Sequence, residues 1–392
     1  MKIVMICDFF NEALEYQENL LAKYYVKHGH DVVVIASTFD SVFQFTADRH
    51  DRRATARSYM HRGAKVIKLP YRYNVLNRVR ALRGVGAILQ VEQPDLIFVH
   101  DIMPELLDAV RYKRHHPHCR VILDFHADYS NSAKNWLSLR VLHGVVRKTI
   151  LRRARPHLSG IFPIVPASAV FLHEVYGVPH SEMELLPLGM DVDLGREVRE
   201  SGAGRALRVR LGIAPGDLVL FTGGKLAPPK RTEVAIEAFL ALSRTDAHLL
   251  IVGEAAPADA TYKAMLLELA AGNPRIHFTG WLGSRDIYAC LAAADLAVFP
   301  ASQSILWQQA IGMGLPLIVG NSGHQDVSYL NEHDNIVMLP RSQITAAAIR
   351  DALGTVLGDE RLRARMSAGA RRVTEELLTW DRLILKTLER PA

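Results

Sequence analysis

The chain has 392 residues, 49% of them hydrophobic, which is long for one core and comfortable for two domains and excludes a low-complexity or collagen-like chain. Its 47 Lys and Arg outnumber 41 Asp and Glu for a formal net charge of +6, and no apolar run reaches the roughly 20 residues that span a bilayer. Three widely spaced cysteines, Cys7, Cys119 and Cys290, suggest neither a disulfide framework nor a zinc site.

Met1-Lys2 leads straight into the apolar run Ile3 to Cys7, so no signal peptide is read and a cytoplasmic location is expected. That run predicts the first strand. Gln17 to His28 has helical spacing and stops at Gly29. Strands are predicted at Val32 to Ala36, Val66 to Leu69, Leu96 to Val99, Val121 to Phe125 and Gly160 to Val165. Helices are predicted at Val79 to Glu92, Glu105 to Arg114, Asn135 to Arg153 and Ser168 to Tyr176. Such β–α alternation predicts a parallel, doubly wound sheet.

The texture changes after Asp191. A second alternating series begins at Leu218 to Phe221 and runs to Ile344 to Leu357, and a helical tail carries Trp380. The expected organisation is a Rossmann-like domain over 1–193 and a linker over 194–216. A second Rossmann-like domain follows over 217–375, then a C-terminal helix over 376–392 that packs back on the first domain. The fold class is α/β, with two parallel sheets facing each other across a cleft.

The positive charge is uneven. Arg49 to Arg83 carries nine further cations against Asp51 alone, and no acid occurs from Tyr129 to His173. An anionic membrane surface is therefore an expected partner, met by the basic helix Asn135 to Arg155 and by the 49–83 region, which places the chain peripherally on the inner face of the cytoplasmic membrane. No nucleic-acid recognition motif accompanies the charge, so nucleic acid is not expected.

Two stretches carry the chemistry of the second half. Gly223-Gly224-Lys225 with Lys230 sits between a strand and a helix, where open α/β sheets bind ligands. Its glycines permit a tight turn and close approach, and its cations suit a diphosphate. In the second stretch, Ser304 is placed to cap the helix that carries Gln309 and ends at Gly314-Leu315-Pro316. It is read as a second anion site facing the first. In the first half, alternation at the end of the run Val121 to Asp128 puts Asp124, His126 and Asp128 on one side.

In order and spacing, Gly223-Gly224-Lys225-Leu226 with Lys230, Gly253-Glu254, Thr279-Gly280-Trp281-Leu282, Asp295 to Pro300 and Gln309-Ala310 with Gly314-Leu315-Pro316 resemble the C-terminal half of retaining GT-B glycosyltransferases. The likeness is to the family-four, or glycosyl transferases group 1, type. The N-terminal half resembles it more loosely, through Met1 to Asp8, Gly29 to Val32, Pro94 to Ile97 and Leu186 to Asp191. The resemblance implies a retaining, metal-independent enzyme with no cofactor. It would move a sugar from a nucleotide-diphosphate sugar to a sugar or lipid-linked acceptor, as in bacterial surface polysaccharide or glycolipid assembly.

By the same resemblance, Lys225, standing for the family's usual arginine, and Lys230 bind the diphosphate and stabilise the leaving group. Gly223, Gly224, Ser304 and Ile305 line the donor site, and Trp281 and Leu282 frame the base. Gln309, in place of a glutamate, meets the ribose. His126 contacts the transferred sugar. The first turn lacks the glycine pair common in the family, and Tyr16, Gln17, Glu18 and Asp128 are read as acceptor contacts. Two rival readings stay open, a catalytically weak glycosyltransferase-like regulatory partner and a GT-B sugar-nucleotide epimerase. Base, sugar, acceptor and oligomeric state stay open too. Asp191-Val192-Asp193 is read as a turn, and His115, His116 and His118 as a solvated loop.

Overall fold

The structure is a computed structural model that describes residues 1–40, 44–45, 55–301, 304–322 and 326–389. The chain divides into two compact units. Unit 1 is Met1–Pro187 with Trp380–Ala392, and unit 2 is Leu188–Thr379. Among the described residues, no helix is long and apolar enough to cross a membrane.

Unit 1 is built on a seven-stranded sheet. Its strands are β1 (Lys2–Ile6), β2 (Asp31–Ser37), β3 (Arg57–His61), β4 (Ala64–Leu69), β7 (Leu96–His100), β8 (Arg120–Phe125) and β9 (Gly160–Pro163). Their spatial order is β3-β4-β2-β1-β7-β8-β9. All neighbours pair in parallel except β3, which runs antiparallel to β4 on the edge. The inner strands are buried on both faces, so their sequences read as unbroken apolar runs rather than alternating ones. Order reverses between β1 and β7, and that switch point lies beside Asp8 and His100.

Unit 2 repeats the plan with six parallel strands. They are β10 (Leu218–Gly223), β11 (Ala247–Val252), β12 (Ile276–Phe278), β13 (Leu296–Phe299), β14 (Leu317–Gly320) and β15 (Ile336–Leu339). The order is β12-β11-β10-β13-β14-β15. Alternate residues feed two cores: Val219, Phe221, Leu250 and Val252 point to one side, Leu220, Leu249 and Ile251 to the other. The switch point falls between β10 and β13, whose ends carry Gly223-Gly224 and the run toward Ser304.

Four stretches differ from the sequence reading. The predicted helix Val79 to Glu92 is strand β6 (Val79–Leu82), then a helix Val85–Glu92. β6 pairs antiparallel with β5 (Tyr71–Val75) in a hairpin. Leu76 and Asn77 both take positive φ, 53° and 56°, and the Arg78 amide donates to the Val75 carbonyl at 3.0 Å to close the turn.

The stretch 194–216, read as a linker, instead forms helices Val192–Glu200 and Ala203–Arg210 inside unit 2. Polar composition hid their anchoring. Arg208 donates to the Ala293 and Asp217 carbonyls at 2.8 Å and to Asp295 at 2.6 Å. Gly204 lets its helix approach Ala292, where an added Cβ would lie 2.6 Å from the backbone.

The basic helix opens as a π-helix, Ser138–Arg147, before continuing as Lys148–Ala154. In the tail, the chain breaks at Thr379 and resumes as helix Trp380–Leu388, which packs on helix Gln17–Lys27. There the Tyr25 and Thr387 hydroxyls meet at 2.5 Å, and His28 and Lys27 meet Asp381. Thr379 is extended (φ −79°, ψ 129°), which separates a turn that belongs to unit 2 from a helix that belongs to unit 1.

The basic stretch 49–83 is less of an open cationic face than its sequence suggests. Arg49, Arg52 and Arg53 lie outside the described residues. Arg57 and Lys68 meet Asp40, Arg62 meets Glu15, Lys65 meets Glu92 and Arg80 meets Asp8. These acids come from distant sequence, so the fold neutralises a charge run that a linear reading leaves bare.

Candidate functional site

In unit 2, three strand ends meet through glycine. Gly224 donates to the Val252 carbonyl at 2.9 Å, and Gly253 donates to Gly280 at 3.0 Å. Gly253 takes φ +136°, and a Cβ there would sit 1.8 Å from the Gly224 oxygen, so only glycine fits. Gly224 takes φ +118°, and a Cβ on it would point at Ser304 Oγ (3.6 Å) and Lys230 Cε (3.8 Å). A Cβ on Gly223 would meet Leu306 at 3.1 Å. The two stretches singled out in the sequence are therefore brought together, around the space that the missing Gly224 side chain leaves open.

Lys230 reaches this space from the short turn Pro228–Lys230. Burial pushes its ammonium down to about 8. Lys225, more than half exposed, is ion-paired with Asp259 at 3.0 Å. Ser304 makes the capping bond that its spacing suggests: its Oγ accepts the Leu306 amide at 3.3 Å, and Ile305 after it already takes helical φ −59° and ψ −24°. Trp307 bonds back to the Ser304 carbonyl at 3.1 Å. Gln309 is 8% exposed, and its Oε1 has no hydrogen-bond partner among the described residues. Trp281 is 62% exposed, whereas Leu282 packs on the core.

In unit 1, β7 and β8 end side by side, with His100 in register with Asp124. Asp124 is fully buried. Its Oδ2 accepts from His126 Nε2 at 2.9 Å and meets His100 Nδ1 at 3.1 Å, and its Oδ1 accepts the Asp101 amide at 3.2 Å. The two imidazoles lie 4.2 Å apart, centre to centre. Although buried, His100 is raised to about 10, chiefly by the Asp124 charge and hydrogen bond; the two rings hold the Asp124 carboxyl well below the usual carboxylate range. Ligand atoms of His100, Asp124 and His126 lie within 4.8 Å of one another, the one such grouping among the described residues, and here they satisfy one another by hydrogen bonds.

These groups open into a pocket of about 270 Å³, lined also by Asp8, Arg78, Arg80 and Arg147. Arg147 pairs with Asp101 at 3.1 Å, and Arg80 with Asp8. Glu18 lies buried close enough that both histidine charges act on it, and burial raises its carboxyl. Gln17 is buried, with neither amide atom partnered among the described residues, and Tyr16 is 45% exposed. One oxygen of Asp128, Oδ1, accepts from the amides of Ser130 and Asn131 and from the Ser130 hydroxyl, while its buried Oδ2 has no hydrogen-bond partner among the described residues. His100, Asp101, Arg80 and Arg147 were not singled out in the sequence. His100 had a signal, since it ends an apolar run just as Asp124 and His126 end the next.

A family model described as Glycosyltransferase Family 4 matches residues 19–194, and one described as Glycosyl transferases group 1 matches residues 216–359. The chain belongs to the family-four, group 1 glycosyltransferases.

Structures in this family's GT-B class superpose over nearly the whole chain. An Anabaena protein, Alr3699/HepE, in complex with UDP covers 99% of this chain and 100% of its own with a TM-score of 0.70 at 19% identity. WaaG, a glycosyltransferase involved in lipopolysaccharide biosynthesis, covers 98% of each with a TM-score of 0.64 at 15% identity. Among curated relatives in the family, a Nocardia farcinica protein named D-inositol 3-phosphate glycosyltransferase is 29% identical over 49% of this chain and 44% of its own length. A Mycobacterium tuberculosis protein named GDP-mannose-dependent alpha-(1-6)-phosphatidylinositol monomannoside mannosyltransferase is 25% identical over 53% and 55%. The chain spans about half the length of the curated relatives it matches.

Proposed function

We propose that the protein is a retaining, metal-independent glycosyltransferase that takes a nucleotide-diphosphate sugar in unit 2 and an acceptor hydroxyl in unit 1. The observation that carries this reading is the convergence of Gly224, Ser304 and Lys230. A partly buried glycine backbone with no side chain over it, a hydroxyl and a half-buried ammonium together suit a diphosphate. The relatives' names, a D-inositol 3-phosphate glycosyltransferase and a GDP-mannose-dependent mannosyltransferase, and the UDP bound to the Anabaena protein support the same substrate class.

In the reaction, the bond between the anomeric carbon and the diphosphate oxygen breaks. The acceptor oxygen bonds to that carbon on the same face, and its proton passes to the departing phosphate oxygen. Lys230, and Lys225 once it leaves Asp259, stabilise the charge that develops there. His126, held by Asp124, orients the sugar. The buried Gln309 amide oxygen accepts from a ribose hydroxyl, which supplies the partner it otherwise lacks.

The test is a thermal-shift screen against UDP, GDP, ADP and dTDP and their sugars, followed by an assay of nucleotide diphosphate release. A transferase shifts with one base and releases diphosphate in step with acceptor. No shift with any nucleotide sinks the donor site. A changed donor sugar without acceptor indicates an epimerase, and binding without turnover a regulatory partner.

A further inference from the structure

The unit 1 pocket is rimmed by two elements that also turn apolar and cationic side chains to solvent. The hairpin of β5 and β6 sends Arg78, Val79 and Arg80 into the lining. Its turn leaves Val75 exposed and Leu76 84% exposed, beside exposed Arg72 and Arg78. The hairpin is anchored at its base, where the Leu82 amide donates to the Glu105 carboxylate.

The second element is the helical run from Trp136 to Arg153. It sends Val146, Arg147 and Ile150 into the same lining. Leu139 and Val146 pack on the core, and His143 is buried there between Ser132 and Tyr176. Yet the opposite side is apolar as well. Trp136 is 71% exposed, and Leu137, Val141 and Val145, spaced by four so that they share one side, are exposed too. A surface helix in water carries polar residues on its outer face. Here the outer face is aliphatic and aromatic, and Lys134, Arg140, Arg152 and Arg153 stand exposed along the run. No acidic residue occurs from Tyr129 to His173.

We propose that unit 1 docks on an anionic bilayer through the Val75–Arg78 turn and the outer face of the Trp136–Arg153 run, and that the pocket between these elements takes the anionic head group of a lipid-borne acceptor. A helix with apolar residues on its outer side and Lys and Arg around them lies in the head-group layer, with its apolar side chains among the acyl chains. A protein partner fits less well, because its face would need its own run of acids to match these cations. The head-group part rests on the reading of this pocket as the acceptor site. Arg78, exposed at the rim, and His100, protonated beside Asp124, supply positive charge for a phosphate.

The experiment is flotation of the full chain with phosphatidylcholine vesicles and with vesicles containing about one-third phosphatidylglycerol, at low and at physiological salt. The protein should rise with the anionic vesicles only. The triple variant Leu76→Asp, Trp136→Asp, Val141→Asp changes exposed residues and should keep the thermal midpoint while losing at least about tenfold in bound fraction. In an activity arm, it should raise KM for a vesicle-borne acceptor and leave turnover on a detergent-free, water-soluble head-group analogue unchanged.

Wild-type protein that stays at the bottom of the gradient overturns the proposal, as does a variant that floats equally well. So does a solution dimer that the variant disperses. Flotation needs no donor, so a failed donor screen leaves this result standing, and a failed flotation leaves transfer to a soluble acceptor standing.

Discussion

The Oδ2 atom of Asp124 lies 2.9 Å from Nε2 of His126, and that same oxygen also holds His100. One buried carboxylate thus fixes two imidazoles and directs the remaining nitrogen of each away from itself. Replacing Asp124 by Asn removes the charge that keeps His100 protonated. Asp124→Asn should return the His100 titration to near the ordinary histidine range and cost about 3–5 kcal/mol in urea unfolding, as expected when a buried ion pair loses one partner. Ring-proton shifts followed by NMR report the first, and an unaltered titration would refute the linkage.

The same pair sets a pH window for unit 1. The His100 pKa is raised in the folded state to about 10, so its contribution is fully present below the unfolded value near 6.5 and is lost as pH rises toward 10. The Asp124 pKa is lowered, so its contribution is present above the usual carboxylate range and lost on acidification. Unfolding free energies measured in urea from pH 4 to pH 10 should therefore be highest at about pH 5–6 and fall on the alkaline side by a few kcal/mol. In Asp124→Asn the alkaline fall should vanish.

Lys230 behaves in the opposite sense. Burial lowers its pKa to about 8, so in the empty site its charged form is a cost at neutral pH, one that disappears as pH rises through the unfolded value near 10.5. A bound diphosphate favours the charged form. Above about pH 8 binding must take up a proton, and affinity should fall about tenfold per pH unit. Calorimetry in buffers of different ionisation heat detects that proton. Lys230→Met should weaken binding by about 2–4 kcal/mol and flatten the dependence.

Gly224 and Gly253 separate two uses of glycine. Gly253→Ala places a methyl group 1.8 Å from a carbonyl oxygen and should unfold the turn, which circular dichroism and thermal melts would show. Gly224→Ala strains φ but meets nothing closer than 3.6 Å. It should cost only about 1–3 kcal/mol of stability, yet lower nucleotide affinity by more than tenfold, because the methyl fills the space beside Lys230. Equal loss of fold in both variants would remove the case for a ligand space.

Gln309→Glu is expected to split stability from binding. A buried carboxylate lowers the stability of the empty protein by about 1–3 kcal/mol. It should tighten nucleoside binding several-fold through a charge-assisted bond to a ribose hydroxyl, while the corresponding Leu variant weakens it. Matched titrations with nucleotide and with its 2′,3′-dideoxy form give the answer.

The sheets were legible because strands buried on both faces read as apolar runs, as in Ile3–Cys7 and Leu249–Val252. The turn at Gly223-Gly224 was legible because a glycine pair between an apolar run and a helical run marks a tight turn. The rest depended on partners distant in sequence. Nothing near Arg208 announces that it will reach Asp295 and pin a presumed linker into unit 2. Nothing beside Lys225 shows that Asp259 will hold it. The β5–β6 hairpin escaped because its turn, Leu76-Asn77, lacks the usual glycine. His100 and Asp124 lie 24 residues apart, and only strand register makes them neighbours.

The last helix of the chain, Trp380–Leu388, belongs to the first unit, and its Trp380, Leu383, Ile384 and Thr387 are buried. On the ribosome, residues 1–187 are made before unit 2 but cannot be completed before it. They wait with the Tyr25 flank of helix Gln17–Lys27 uncovered until unit 2, contiguous in sequence, and then Trp380–Leu388 have been made. A nonsense truncation just upstream of Trp380 therefore damages unit 1, most of which is translated before unit 2.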